Sequence, residues 1–272
     1  MCPWLKLSLL SLLGIAGTAV AITADRQPGY LGAGEFDVTH ILEPAPRPGD
    51  PRYETDRKIF NATRRMVGSE RWAMAARDAD ISTAALLRDF SCSVGVSLTE
   101  ANAPKIVHVL LRASADTGMQ SSHAKDVYQR NRPFTIDKGQ ICQASSELFD
   151  KKAGRMSYDY PSGHTTRGWT YALVLSALAP DRAQRIMERG RAYGDSRFIC
   201  GAHNESAVEA GMISASATMA VVATKGAYQA DLAAARDELA RLLETGPRPE
   251  GCVAEGALVG QRVMPRLDRA RR

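Results

Sequence analysis

The sequence of 272 residues is poor in aromatic residues and cysteines, and its basic residues form no continuous run. Aromatic side chains make up 6% of the chain, which argues against a surface that stacks on nucleic-acid bases. A formal net charge of +5 without a basic cluster also lacks the electrostatic footprint of a nucleic-acid-binding protein. We therefore expect no nucleic-acid partner.

Two structural patterns are missing as well. No segment alternates apolar and polar residues over a useful strand length, and no internal repeat is found. After residue 21, polar residues interrupt every apolar segment before it reaches the length that spans a bilayer. The pattern therefore argues against an integral membrane enzyme with several spanning helices. We expect no stable membrane insertion of the mature protein.

Residues 1–21 have the composition of a signal peptide. Lys6 supplies the positive charge, residues 7–20 are mainly apolar, and Ala19-Val20-Ala21 is a cleavage site of small residues. An uncleaved membrane anchor is the alternative, but the apolar segment is short for spanning a bilayer. We predict that the protein is exported and is periplasmic or secreted.

Four of the five cysteines remain after this cleavage: Cys92, Cys142, Cys200 and Cys252. In an oxidising compartment this even number allows one or two disulfides, with three alternative full pairings. The sequence does not select among them, and buried free thiols stay an alternative.

Helical signals dominate after a proline-rich lead-in. Residues 22–50 are predicted to be irregular, because each proline between 43 and 51 lacks an N–H donor and restricts the residue before it. A helical domain is predicted over residues 51–246, followed by an irregular tail at 247–272. The predicted helices are 52–76, 80–96, 103–120, 164–178, 181–191 and 207–243, the last bent near Gly226, with a polar loop and one short helix at 131–160. The predicted fold class is all-α, a compact helix bundle.

Three blocks contain residues typical of phosphate chemistry. They are residues 125–133 (KDVYQRNRP), 161–164 (PSGH) and 196–203 (SRFICGAH). Taken singly, each block has an ordinary structural explanation. Lys125 and Arg132 resemble surface charges, the second block resembles a turn, and His203 resembles a hydrogen-bonded structural histidine.

Considered together, the blocks supply what phosphoryl transfer requires. Arginine donates two hydrogen bonds to one phosphate through its planar fork, and lysine adds a point charge. Ser162 and Gly163 precede a predicted helix, whose first N–H groups and dipole attract anions. Two histidines, His164 and His203, can act as nucleophile and proton donor near neutral or mildly acidic pH.

The order Lys-x6-Arg-Pro, Pro-Ser-Gly-His and Ser-Arg-x5-His resembles the bacterial class A non-specific acid phosphatases. These belong to the superfamily of type 2 phosphatidic acid phosphatases and vanadium haloperoxidases. The export signal, length and helical character agree, so the resemblance covers most of the mature chain. It implies the helix bundle of that superfamily, small phosphate monoesters as substrates over a broad range, no metal or other cofactor, and often a homo-oligomer.

The resemblance also implies a role for each matched residue in an acid phosphatase, which is a phosphoric monoester hydrolase. His203 would attack phosphorus and carry the phosphoryl group, and His164 would protonate the leaving group and then activate water. The phosphate would be held by five further residues: Lys125, Arg132, Ser162, Gly163 and Arg197.

One position departs from the family pattern. The family usually has an aspartate four residues after the nucleophilic histidine to accept its other ring proton, and here that position is Ala207. By analogy with other catalytic histidines, its loss costs on the order of 10- to 10⁴-fold in rate. Glu205 or a backbone carbonyl are candidate replacements, whereas Glu209 is predicted to form a capping box with Ser206.

Two alternatives to an efficient phosphatase follow from these residues. Ala207 favours a weakly active or inactive homologue that binds phosphate without hydrolysing its esters. A vanadium haloperoxidase would use the same cations to hold vanadate on His203, but the chain is short for that group.

Overall fold

The computed structural model describes Met1 and residues 27–266. The predicted signal peptide therefore lies outside the described residues, apart from Met1. Between residues 27 and 50 the only helical segment is a 3₁₀ turn at Val38–His40. The carboxylate of Asp37 accepts the Thr39 N–H at the start of this turn.

The described residues form nine α-helices and one small hairpin, which confirms the predicted all-α class. The helices are α1 (Pro51–Thr63), α2 (Glu70–Arg77), α3 (Thr83–Val94), α4 (Pro104–Tyr128), α5 (Gly163–Leu178), α6 (Ala183–Cys200), α7 (Glu205–Val222), α8 (Gly226–Thr245) and α9 (Cys252–Val259). The antiparallel strands β1 (Phe149–Asp150) and β2 (Arg155–Met156) were not predicted, because two residues per strand give no alternation to detect.

Short polar residues mark several helix starts. Side chains accept a first-turn N–H at Asp50, Ser69, Ser82 and Ser162. Each such cap contributes about 1 kcal/mol. The predicted helix at 52–76 is in fact two helices, since Gly68 between them has a φ of 82° that interrupts helical geometry.

The small-residue helix predicted at 207–243 is also divided. Residues 223–225 separate α7 from α8, and the two axes differ by 100°, which agrees with the predicted bend near Gly226. Among the described residues, no single helix is both long and apolar enough for a membrane span. By length and composition alone, the bent pair of α7 and α8 passes the same test.

The prediction of an irregular tail after residue 246 is wrong at α9. A disulfide between Cys92 and Cys252 attaches the first residue of α9 to α3, and Val259 at its other end is buried. Anchoring at both ends gives this short segment the tertiary support that a two-turn helix needs. A second disulfide joins Cys142 to Cys200, so the structure selects one of the three pairings.

Helix α5 occupies the centre of the bundle. It packs against α4, α6 and α7, and Tyr171, Val174 and Leu175 are fully buried in the main core. Truncating a leucine in such a core typically costs 2–5 kcal/mol of stability. The packing fixes the relative positions of the helix ends that carry the three sequence blocks.

Candidate active site

The three blocks meet at one end of the bundle. Lys125 lies in the last turn of α4, Arg132 follows in the next loop, and Gly163 begins α5. Arg197 lies in the last turn of α6, and His203 lies in the turn between α6 and α7. Because α5 packs against the other three helices, residues far apart in sequence share one site.

His203 is buried, and both of its ring nitrogens have partners. Nδ1 lies 2.8 Å from the carbonyl oxygen of Asp159 and 2.9 Å from Oδ1 of the same residue. Nε2 lies 3.0 Å from Nη1 of Arg132, which can only donate. The carbonyl oxygen can only accept, so the proton of the neutral ring belongs on Nδ1 and Nε2 keeps its lone pair.

The charge around His203 favours this neutral ring. Burial lowers the pKa of His203 well below its ordinary value, and the positive charges of Arg132, Lys125 and Arg197 lower it further. The imidazole therefore stays neutral in mildly acidic solution, with its lone pair on Nε2.

His164 lies close to His203. The centroids of the two rings are 6.4 Å apart, and the ring planes are inclined by 53°. His164 Nε2 lies 3.1 Å from the carbonyl oxygen of Ala79, so this nitrogen carries a proton and Nδ1 is left for a ligand. Burial, Arg197 and His203 lower the pKa of His164 well below its ordinary value.

Arg197 carries the clearest sign of an anion site. Its side chain is fully buried, and Nη2 donates to Oε1 of Gln143. Within the described part of the chain, Nε and Nη1 of the same guanidinium have no hydrogen-bond partner. Buried donors on a charged group are costly when unpaired, so this guanidinium is suited to an anion with several acceptor oxygens.

Arg132 and Lys125 add positive charge with a different geometry. Arg132 donates to Ala202 O at 2.8 Å, Ser157 O at 2.7 Å and Ser157 Oγ at 2.6 Å, which fixes the guanidinium beside His203. Lys125 Nζ donates to the carbonyl oxygen of Tyr158. Burial and the charge of Arg132 lower the pKa of Lys125 to about 7.

Ser162 and Gly163 lie at the start of α5, as predicted. The Ser162 hydroxyl is fully buried and bonded to Thr165, 3.3 Å from its N and 2.9 Å from its Oγ1, so it caps the helix. Gly163 lies beside Lys125, since a Cβ added to the glycine would be 3.7 Å from Lys125 Cε. The N-terminus of α5 therefore lies beside Lys125.

The structure adds residues that the motifs did not identify. Asp159 bonds to His203, Ser157 fixes Arg132, and Gln143 contacts Arg197. Asp159 and Ser157 lie only a few residues before the 161–164 block, which was the one signal in the sequence that could have directed attention to them.

The acidic residues at the start of α7 make no hydrogen bond to the His203 ring in the described structure. In the described structure the hydrogen-bond partners of the His203 ring are Asp159 and Arg132, so Glu205 and Glu209 do not replace the missing aspartate. Burial and the neighbouring Glu209 raise the pKa of Glu205 to about 8. The predicted capping box is wrong, because α7 begins at Glu205 and Ser206 donates to Asp56 instead.

A disulfide supports the wall of the site. Cys142 is bonded to Cys200 at the end of α6, and the Cys142 N–H donates to the Cys200 carbonyl at 3.1 Å. Gln143 is thereby held next to Arg197. Residues 27–266 contain no cluster of three or more histidine, cysteine or acidic side chains arranged to bind a metal ion.

Comparison with known proteins finds one family and several relatives. The PAP2 superfamily matches residues 106–230. The chain is 35% identical to an acid phosphatase of Zymomonas mobilis subsp. mobilis over 237 residues, which is 87% of this chain and 88% of that protein. It is 38% identical to a non-specific acid phosphatase of Salmonella typhimurium, covering 78% of this chain and 84% of the relative. A non-specific acid phosphatase of Salmonella typhi is 35% identical, covering 89% and 97% respectively.

Proposed function

Because the chain belongs to the PAP2 superfamily and is an acid phosphatase, we propose that it hydrolyses phosphate monoesters through a phosphohistidine on Nε2 of His203. The observation that supports this mechanism best is the pair of residues that contact the His203 ring, Asp159 at Nδ1 and Arg132 at Nε2. Nδ1 is bonded to acceptors and Nε2 faces a donor, so the lone pair is on the nitrogen that lies among the cations. A neutral imidazole with this orientation is a competent nucleophile.

In the first step, the Nε2 lone pair attacks phosphorus and forms the N–P bond. The P–O ester bond breaks, and its electron pair goes to the leaving oxygen. Protonated His164 gives its proton to that oxygen, so an alcohol leaves and His164 becomes neutral. We place the phosphoryl group between the two histidines, whose ring centroids are 6.4 Å apart.

In the second step, neutral His164 accepts a proton from a water molecule whose oxygen attacks phosphorus. The N–P bond breaks, its electrons return to Nε2 of His203, and inorganic phosphate leaves. His164 then holds the proton needed for the next cycle. Each histidine returns to its initial state, so no other reactant is consumed.

The cations provide the electrostatic stabilisation. Phosphoryl transfer spreads negative charge over three oxygens, and fixed positive groups in a buried site stabilise it most effectively. Two nitrogens of Arg197, Nε and Nη1, have no protein partner among the described residues, and Lys125 and Arg132 add charge at the same site. Since this charge comes from side chains, we propose that hydrolysis is independent of metal.

The proposed contacts hold the phosphate itself, which is common to all monoesters. We therefore propose a broad range of small phosphate esters as substrates. Phosphate release from several esters, including p-nitrophenyl phosphate, a sugar phosphate and a nucleotide, tests this range. Rates that differ strongly among these esters would contradict it.

We also propose that residues 1–21 direct export and are removed. The disulfides Cys92–Cys252 and Cys142–Cys200 support this proposal, since such bonds persist mainly in oxidising compartments. Amino-terminal sequencing of the protein recovered from a periplasmic extract or culture medium should begin at residue 22. Retention of Met1 in that material would contradict the proposal.

The mechanism is tested by trapping the intermediate. The wild type should release phosphate from p-nitrophenyl phosphate in the presence of a chelator, and acid-labile phosphate should appear on a peptide that contains His203 during turnover. His203→Ala should lose both activity and label, whereas exposed Arg236→Ala on α8 should keep both. Undiminished turnover by folded His203→Ala would refute the assigned nucleophile.

A further inference from the structure

We propose that Asp159 is the positioning residue of His203. Its carboxylate accepts the Nδ1 proton of the ring, a role that Ala207 cannot perform because its side chain has no acceptor. The inference rests on the proposed phosphohistidine mechanism and identifies the carboxylate that mechanism needs. This carboxylate lies in a segment 44 residues before His203, whereas position 207 lies in the helix turn that follows the histidine. The chain thus combines a carboxylate at 159 with an alanine at 207.

The hydrogen bonds around Asp159 fix the direction of the carboxyl group. Oδ1 lies 2.9 Å from His203 Nδ1 and 3.2 Å from the Asn204 N–H, and Oδ2 accepts from Asn204 Nδ2 at 2.8 Å. Arg130 Nη1 lies 3.7 Å from Oδ2. Every one of these neighbours is a donor or a cation, so the geometry favours an ionised carboxyl group.

The backbone of Asp159 is held as firmly as its side chain. Its N–H donates to the Arg130 carbonyl at 2.8 Å, and its own carbonyl oxygen lies 2.8 Å from His203 Nδ1. The residue is fully buried. Two oxygens of one residue therefore hold the ring, one from the main chain and one from the side chain, and only the second brings charge.

That charge matters most after phosphoryl transfer. When Nε2 bonds to phosphorus, the imidazole ring becomes cationic while Nδ1 keeps its proton. A buried carboxylate 2.9 Å from Nδ1 stabilises this cation, whereas a carbonyl alone supplies only a dipole. Burial raises the pKa of Asp159 above its ordinary value, and the charge of Arg130 and the hydrogen bond from Asn204 oppose this rise only in part.

Position 207 lies close enough to the site for an aspartate there to take over the role of Asp159. Ala207 is fully buried in the first turn of α7, and its carbonyl oxygen accepts the Ser162 N–H at 2.8 Å. An aspartate there would approach His203 from the helix side. In the wild type, however, a second carboxylate would compete with Asp159 for the same Nδ1 proton, so repulsion between the like charges would cancel any benefit.

The first test is Asp159→Asn, which keeps the shape of the side chain and removes its charge. We expect kcat to fall about 10- to 100-fold with KM little changed. Asp116→Asn is the matched control, since Asp116 is also buried and accepts two N–H groups, from Tyr30 and Leu31, on a part of α4 outside the site. Its kcat should stay near that of the wild type.

A second measurement does not depend on turnover. The ¹⁵N chemical shifts of the His203 ring, followed as a function of pH, report its protonation. Without the charge at position 159 the imidazolium is less stable, so the pKa of His203 should be lower in Asp159→Asn than in the wild type. An unchanged pKa of His203 together with unchanged kcat in Asp159→Asn would overturn the proposal. Failure of the proposed function would show itself differently, as a wild type that neither releases phosphate nor forms phosphohistidine.

A third test moves the carboxylate from position 159 to position 207. Asp159→Ser combined with Ala207→Asp should have at least about tenfold higher kcat than Asp159→Ser alone. Ala207→Asp in the wild type should bring no gain. A tenfold or larger gain from that single change would mean that His203 lacks a carboxylate partner in the wild type, and the proposal would be wrong.

Discussion

The rings of His164 and His203 lie with their centroids 6.4 Å apart, and burial lowers the pKa of both. The two histidines need opposite protonation states in the proposed first step. His203 must be neutral to attack, and His164 must be protonated to assist the leaving group. The low pKa of His203 keeps the nucleophile available in acid, while that of His164 limits the general acid to acidic solution.

The first prediction concerns the pH dependence of turnover. Since the pKa of free His164 is lowered, the protonated form is lost as pH rises, and kcat/KM should fall with increasing pH well below neutrality. A bound phosphate dianion stabilises the imidazolium, so the corresponding fall in kcat should occur at higher pH. Steady-state rates between pH 4 and 8 test both statements. Coincident profiles for the two constants would contradict them.

The second prediction separates general acid catalysis from binding. His164→Asn should lower kcat for an alkyl phosphate by about 10²- to 10⁴-fold. The loss should be much smaller for p-nitrophenyl phosphate, because p-nitrophenolate leaves readily without a proton. Equal losses on the two substrates would argue that His164 only shapes the site. Arg236→Ala provides the control with both substrates unaffected.

The third prediction concerns Nε and Nη1 of Arg197, the two nitrogens that have no partner among the described residues. A hydrogen bond to a charged group contributes about 1.5–3 kcal/mol, so Arg197→Lys should weaken inorganic phosphate binding about 10- to 100-fold. Calorimetric titration at acidic pH measures this change. Arg236→Lys is the matched control and should bind like the wild type. An unchanged affinity in Arg197→Lys would place the phosphate elsewhere.

The fourth prediction follows from the pKa of Lys125, which is lowered to about 7. The ammonium is lost as pH rises through this value, so phosphate inhibition should weaken above about pH 7. Phosphate should inhibit the Lys125→Met variant only weakly at every pH, without this transition. Comparing wild type and variant at each pH cancels the titration of phosphate itself. A pH-independent ratio of the two inhibition constants would contradict the prediction.

The fifth prediction compares the two disulfides. Replacing either cysteine pair by serines should reduce stability by about 2–5 kcal/mol, as measured by denaturant unfolding. Cys142→Ser/Cys200→Ser should also raise KM, because Gln143 is held beside Arg197 by that bond. The Cys92–Cys252 disulfide joins α3 and α9, which supply none of the site residues named above. The folded Cys92→Ser/Cys252→Ser variant should therefore keep wild-type kinetics. A rise in KM in both variants would indicate a general loosening of the fold.

The helices and the three blocks were predictable because their signals are local. Ser162 caps α5 through a residue three positions away, and a glycine or proline interrupts a helix at its own position. The spacing of Lys125 and Arg132, and of Arg197 and His203, is likewise contained within short segments. Such features depend on a few neighbouring residues, so they are visible before any tertiary contact is known.

The helical class and the residues of the three blocks follow from short-range patterns along the chain. The contact of Asp159 with His203, the pairing of the cysteines and the helix α9 follow only from how the helices pack. These features depend on residues that are distant in the sequence. Contacts across 44 residues, as for Asp159 and His203, or 58, as for Cys142 and Cys200, arise from helix packing and leave no local pattern in the sequence.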